Sequence, residues 1–216
     1  MQLLPYAILD MDGTLLDSSG MWDRVAVQVL APWGVTYTPA ERDDTMTMTI
    51  DGTAAYFVQR FSLPVSPAEM AASIRKQASG AYAAFTTVKP GVPRALDAMR
   101  ARGVRLCAAS GTEKALVDGA LAHFGLLDRF DFTLDCATPR GKADPEVYLR
   151  AAGRFGARPE QIMVFEDSPT AVRTAGRAGF YTVGVLDAYT RPHWAQVRAD
   201  ADAVLENWTD WAAQLD

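Results

Sequence analysis

Six short apolar runs, 6–9, 104–109, 130–134, 162–165, 181–186 and 203–205, punctuate the chain, and between the first and second lies a long block, 16–88, with no strand pattern at all. Runs this short, continuous rather than alternating, and stopped abruptly by Gly or polar residues, are what strands buried on both faces of a parallel sheet require. Helical patterns separate them, and strands that alternate with helices close by crossovers into a doubly wound sheet. The expected fold class is therefore α/β, with a helical insertion after the first strand.

Inside the insertion the start signals are explicit. Met21, Trp22, Val25, Val29 and Leu30 recur at helical spacing before Pro32 and Gly34. Thr38-Pro39-Ala40-Glu41 and Ser66-Pro67-Ala68-Glu69 are two capping boxes with Pro at the first helical position. With a further helix from Asp51 to Phe61, about four helices are expected to share a small core of Trp22, Val29, Tyr56, Phe57, Phe61, Met70, Ile74 and Tyr82. The aromatic and Met residues read as packing rather than ligand contacts.

Beyond the insertion, helices are expected over 90–102, from Thr112 as cap to Phe124, from Asp144-Pro145 to Phe155, and from Ser168-Pro169 to Gly179. A chain of 216 residues can bury about 70% of its unfolded surface and needs no disulfide to fold. The net charge of −5, with no Lys/Arg-dense segment, argues against nucleic acid or an anionic membrane as partner and favours a small soluble ligand. Cys107 and Cys136 fall in apolar runs, as reduced structural thiols of a cytoplasmic protein do, and no Cys/His metal spacing exists. The first apolar run stops at Asp10, too short for a signal peptide or membrane span. A cytoplasmic monomer is expected.

Polar groups gather where the apolar runs end: Asp10 and Asp12 after the first, Ser110-Gly111 after the second, Lys142 in the loop after the third, Glu166-Asp167 after the fourth. In a parallel sheet these ends share one edge, which is where ligands bind. Two carboxylates as close as Asp10 and Asp12 repel unless a cation, or a partner that keeps one protonated, sits between them. Taken singly, Lys142 would pass for a solvated loop lysine, Ser110 for a helix cap and Glu166 for a surface acid. His123 suits a helix C-terminus, and neither it nor His193 looks catalytic. Ser168 lacks the G-x-S-x-G frame, and neither a P-loop nor a dinucleotide fingerprint is present.

Asp10-Met11-Asp12-Gly13-Thr14 resembles the first motif of the haloacid dehalogenase superfamily in its helical-cap subgroup. Ser110, Lys142 and Glu166-Asp167-Ser168-Pro169 resemble the second, third and fourth motifs in order, and 141–148 resembles the sugar-phosphate phosphatase and β-phosphoglucomutase branch. The resemblance covers the whole chain. It implies a Rossmann-like α/β core over 1–15 and 89–216 with an inserted α-helical cap over 16–88, and Mg²⁺ held by Asp10, the main-chain carbonyl of Asp12 and Asp167, with Glu166 as an outer or water-mediated ligand.

The roles also follow from chemistry. Asp10 can attack phosphorus and form an aspartyl-phosphate, and Asp12 can protonate the leaving alcohol and then deprotonate water. Lys142 adds positive charge beside them, while Ser110 and the amides of Gly111, Met11 and Asp12 can donate to phosphoryl oxygens. The expected activity is a Mg²⁺-dependent phosphatase acting on a small phosphorylated metabolite such as a sugar phosphate. A phosphoglucomutase-type mutase and a non-catalytic phosphate-binding module are the alternatives, and Asp12 argues against dehalogenation. The surface expected to read the leaving group is Met46-Thr47-Met48-Thr49 with the hinge 15–18. Because 45–53 contains no Lys or Arg, and Arg60, Arg75 and Lys76 belong to a solvated face, hydrolysis is favoured over mutase chemistry.

Overall fold

The computed structural model describes residues 3–215. Its sheet has six parallel strands in the order β5-β4-β1-β6-β7-β8: β1 Tyr6–Leu9, β4 Arg105–Ser110, β5 Phe132–Asp135, β6 Ile162–Glu166, β7 Tyr181–Val185 and β8 Ala203–Leu205. The chain leaves β1 toward β4 and β5, then crosses back to place β6 on the other side of β1. That reversal opens a crevice at the carboxyl ends of β1 and β6.

Successive strand residues face opposite layers. Ala7, Leu9, Leu106, Ala108, Met163 and Phe165 join one core cluster. It also takes in buried residues of α5 (Val92–Ala101), α6 (Lys114–His123) and α10 (Trp208–Gln214). Ile8, Cys107, Ala109 and Val164 join the other cluster, with α7 (Glu146–Phe155) and Ala175 of α8 (Pro169–Arg177). Both faces are covered, so continuous apolar strands are the stable choice. Cys136 lies just past β5 rather than inside it and is half-buried.

Between two-residue strands β2 (Leu16–Asp17) and β3 (Thr87–Val88), which pair antiparallel, the chain builds α1 (Ser19–Leu30), α2 (Pro39–Thr45), α3 (Ile50–Phe61) and α4 (Pro67–Phe85). Both capping boxes form, at Thr38 and Ser66. The centre of this block is Met21, Val25, Val29, Ile50, Phe57, Met70 and Ile74. Trp22, Tyr56 and Phe61, expected there, are only half-buried and sit at its margin.

Four helix starts differ from expectation, among them α3, which begins at Ile50 rather than Asp51, and α5, which begins at Val92 rather than at 90. Thr112 does not cap α6: Glu113 precedes the helix, the Lys114 N–H is met by Asp135 Oδ2 at 2.9 Å, and the Thr112 hydroxyl goes elsewhere. α7 begins at Glu146 rather than Pro145, although Asp144 Oδ1 still accepts the Glu146 N–H at 3.1 Å.

Candidate active site

The Asp10 N–H donates to Phe165 O at 3.0 Å, which carries the β1–β6 ladder one residue past β1 and fixes the first carboxylate at the crevice. Asp10 is 4% exposed. Lys142, on a single 3₁₀ turn Gly141–Ala143, buries its ammonium between Asp10 and Glu166, bonding Asp10 Oδ1 and lying 2.6 Å from Glu166 Oε1. Glu166, the last residue of β6, also accepts the Tyr148 hydroxyl at 2.8 Å. At 2% exposure it is no surface acid: the end of a central strand holds it inside, and a lysine and a tyrosine share its charge.

Asp167 completes the floor. One carboxylate oxygen from each of Asp10, Glu166 and Asp167 lies within 4.8 Å of the others. Burial first, and then Asp187 and Glu166, push the Asp167 carboxyl up to about 8. Burial likewise raises Asp10 well above the usual carboxylate range, opposed by Lys142. Burial works against the Lys142 charge, but Asp10 and Glu166 outweigh it and hold the lysine protonated. With one ammonium shared among three acids, Asp10 and Asp167 hold protons that a further cation would displace, a small hard divalent cation suits such an oxygen donor set, and the buried Ser168 Oγ, which lines the same cavity, has no hydrogen-bond partner among the described residues. The residues fit a metal. Gly13 keeps that space open: at φ +82° its added Cβ would lie 2.6 Å from Asp167 Oδ2.

Asp12 has different surroundings. Ser18 Oγ donates to its Oδ1 at 2.6 Å, Thr112 Oγ1 to Oδ2 at 3.1 Å and Ser110 Oγ to Oδ2 at 3.4 Å. The Tyr82 hydroxyl, from α4, reaches both oxygens at 2.9 and 3.0 Å. Burial and the Asp12 charge raise Tyr82 well above an ordinary phenol, so it remains a donor. Tyr82 is thus more than packing. Met11 buries its side chain in the core, leaving its main chain for the phosphate contact expected of it, and Gly111 lines the cavity.

The helical block rests directly on this floor. Thr47 O accepts the Lys142 N–H at 3.0 Å, and a Cβ on Gly141, at φ +55°, would collide with Thr47 O. Met46, Thr47 and Met48 line the cavity above Asp10 as expected, whereas Thr49 faces an outer groove and lies 3.5 Å from Pro139 O. Trp22, Phe57 and Ile74 supply further wall. Arg60, Arg75 and Lys76 are absent from that lining: Arg60 pairs with Glu41 at 3.5 Å, and Arg75 bridges Asp51 and Glu113 at 2.6 and 2.5 Å. Arg42, three residues before the window searched in the sequence, is the cation that the block brings to the cavity among the described residues. His123 is exposed, and His193 meets Asp43 at 3.2 Å outside the cavity.

Sequence reasoning placed Ser18 only in the hinge and missed Tyr82, Thr112 and Tyr148 as site residues. Of these three Thr112 carried a signal, a second hydroxyl two residues after Ser110 and just past the same strand end. It also missed Asp187, which is buried, pairs with Lys89 at 2.8 Å and lies 3.5 Å from Ser19 Oγ, so that both chain crossings into the helical block are held at one carboxylate.

Paired acids, a buried lysine and a hydroxyl at the carboxyl edge of a doubly wound sheet are the arrangement of a hydrolase of the haloacid dehalogenase class. The chain belongs to the haloacid dehalogenase-like hydrolases, whose family model matches residues 6–179. Among curated relatives, a probable pseudouridine-5'-phosphatase of Drosophila melanogaster is 31% identical over 191 residues, 84% of this chain and 81% of that one. Hexitol phosphatase B of Escherichia coli K12 is 29% identical over 214 residues, 96% and 94% of the two chains. In fold, CbbY of Rhodobacter sphaeroides in complex with phosphate superposes with a TM-score of 0.83 at 21% identity over 96% of both chains. A β-phosphoglucomutase of Clostridium difficile does so at 0.82 and 16%, over 99% and 97%.

Proposed function

We propose that the chain is a Mg²⁺-dependent phosphatase of small phosphomonoesters, working through an aspartyl-phosphate on Asp10, with a core of 1–15 and 89–216 and a cap of 16–88. The observation that carries this reading is the contrast between the two carboxylates: Asp10 is buried against an ammonium, while Asp12 is held by four hydroxyl groups in the same cavity. Carboxylates in unlike environments are suited to unlike tasks.

Asp10 Oδ attacks phosphorus as the bond to the alcohol oxygen breaks, and Asp12, having taken up a proton from the incoming phosphomonoester, delivers it to that oxygen. Asp12 then takes a proton from water, whose oxygen attacks the phosphoryl group and releases inorganic phosphate and the free Asp10 carboxylate. Lys142, the Ser110 hydroxyl and the amides of Met11, Asp12 and Gly111 balance the charge on the phosphoryl oxygens. Asp10, the carbonyl of Asp12 and Asp167 would hold Mg²⁺, which neutralises phosphoryl charge, and Glu166, already committed to Lys142 and Tyr148, would act outside that ligand set.

Curated relatives act on sugar or nucleoside phosphates by name, which supports a small phosphorylated metabolite as substrate. The test is a panel of such compounds with Mg²⁺, reading free phosphate, followed by one hexose phosphate with a trace of bisphosphate primer. Phosphate appearing in step with substrate loss is the expected result. Isomer formed faster than phosphate would make the chain a mutase and would point first to Arg42.

A further inference from the structure

The wall of the cavity opposite Asp10 bears on which alcohol leaves. Its one cation from the helical block is already spent: Arg42 Nε and Nη2 bond Asp23 Oδ1 and Oδ2 at 3.0 and 2.6 Å, a two-point pair, and the guanidinium lies 4.8 Å from the Tyr189 ring centroid. Side chains of the pair keep 30% and 20% of their surface exposed, so the pair belongs to the wall and is not sealed in the core. Thr45 Oγ1 donates to Glu41 O at 2.8 Å and Thr47 O takes the Lys142 N–H, while the hydroxyl-bearing Tyr37, Thr53, Tyr189 and Thr190 also belong to the lining. The rest of the wall is mainly Trp22, Phe57, Met46, Met48, Ile50 and Ile74.

Such a wall cannot satisfy a second phosphate, which needs an unneutralised cation. It suits a flat, largely apolar group packed against Trp22 and the methionines. Arg42 and Asp23 both line the cavity, and together they are a neutral pair with donors beside acceptors, which is the pattern an amide-bearing ring presents in reverse.

We propose that the alcohol half of the substrate is uncharged and planar with an amide-type edge, as in a pyrimidine nucleoside 5'-phosphate, and that the Arg42–Asp23 pair reads that edge and excludes a second phosphate. This rests on the phosphatase reading above but makes a separate claim about the wall.

The test compares uridine 5'-phosphate, sorbitol 6-phosphate and glucose 1,6-bisphosphate. Steady-state kcat/KM is measured on the wild type, Asp23→Asn and the charge-free pair Asp23→Asn/Arg42→Gln, and equilibrium binding on Asp10→Asn. The expected order is nucleotide first and bisphosphate last. Asp23→Asn frees the Arg42 charge and raises the bisphosphate-to-nucleotide ratio about tenfold, and the double variant returns that ratio toward wild type. A pair that only staples α1 to α2 would lower all three rates together and leave the ratio unmoved, which would overturn the role given to the pair. Polyol phosphate or bisphosphate turned over or bound ahead of the nucleotide would overturn the substrate class. If no member of the phosphomonoester panel is hydrolysed, the phosphatase reading fails, and the binding order on Asp10→Asn still decides the claim about the wall.

Discussion

The floor and the wall of the cavity are built from opposite materials. On the floor, four ionisable side chains, Asp10, Lys142, Glu166 and Asp167, are each at most 6% exposed and are fixed by strand ends and one tight turn. On the wall, mostly apolar side chains from four helices surround one self-neutralised ion pair that keeps partial contact with solvent. Buried charge at the floor is costly and is tolerated where it meets a phosphoryl group and a cation. The wall carries no such cost and is free to vary in shape, which under the proposals above leaves chemistry to the floor and the choice of substrate to the wall. Tyr82 is where they meet, because it grows from α4 yet binds Asp12.

Removing the attacking group should break the floor outright. Asp10→Asn keeps the shape of the side chain and is expected to lower kcat by about 10⁴ or more, with circular dichroism and the thermal midpoint close to wild type. Activity near wild type in that variant would end the covalent scheme.

Excess chelator should remove turnover and Mg²⁺ restore it. By calorimetry, Asp167→Ala should weaken Mg²⁺ binding by about 10- to 100-fold and Glu166→Ala by less, since Glu166 is held by Lys142 and Tyr148. Equal losses would place both acids on the ion.

Tyr82→Phe tests whether the two regions are joined. It deletes one hydroxyl from the set on Asp12 and should cost about tenfold in kcat, with KM and stability little changed. An effect confined to KM would return Tyr82 to the wall.

The smallest effect concerns pH. The Asp167 carboxyl, at about 8 in the folded chain, lies above the about 3.9 of an unfolded aspartate. Between those values the folded state binds more protons, so the stability contributed by protonated Asp167 is full below about pH 4 and is lost as pH rises through about 8. Metal-free wild type should therefore lose thermal stability from pH 5 to 8 relative to Asp167→Asn, and Mg²⁺ should stabilise it more at pH 8 than at pH 5. Parallel pH curves for the two proteins would remove the argument.

The sequence by itself determined the parallel sheet, the helical insertion and the positions of Asp10, Asp12, Ser110, Lys142, Glu166 and Asp167. Each of these depends on local signals, an apolar run, its abrupt end and a capping box, and a parallel sheet delivers all such ends to one edge whatever the details of packing. The tertiary structure alone decided that Tyr82 and Thr112 turn to Asp12, that Glu166 is inside, that the loop carrying Thr47 lies on Gly141, and that Arg42 rather than Arg75 faces the cavity. A helix offers any of its faces to a partner, and periodicity cannot say which residue at the margin of an apolar stripe will meet a group 70 positions away, as Tyr82 meets Asp12. That choice is made by how the helices pack on one another and on the sheet edge.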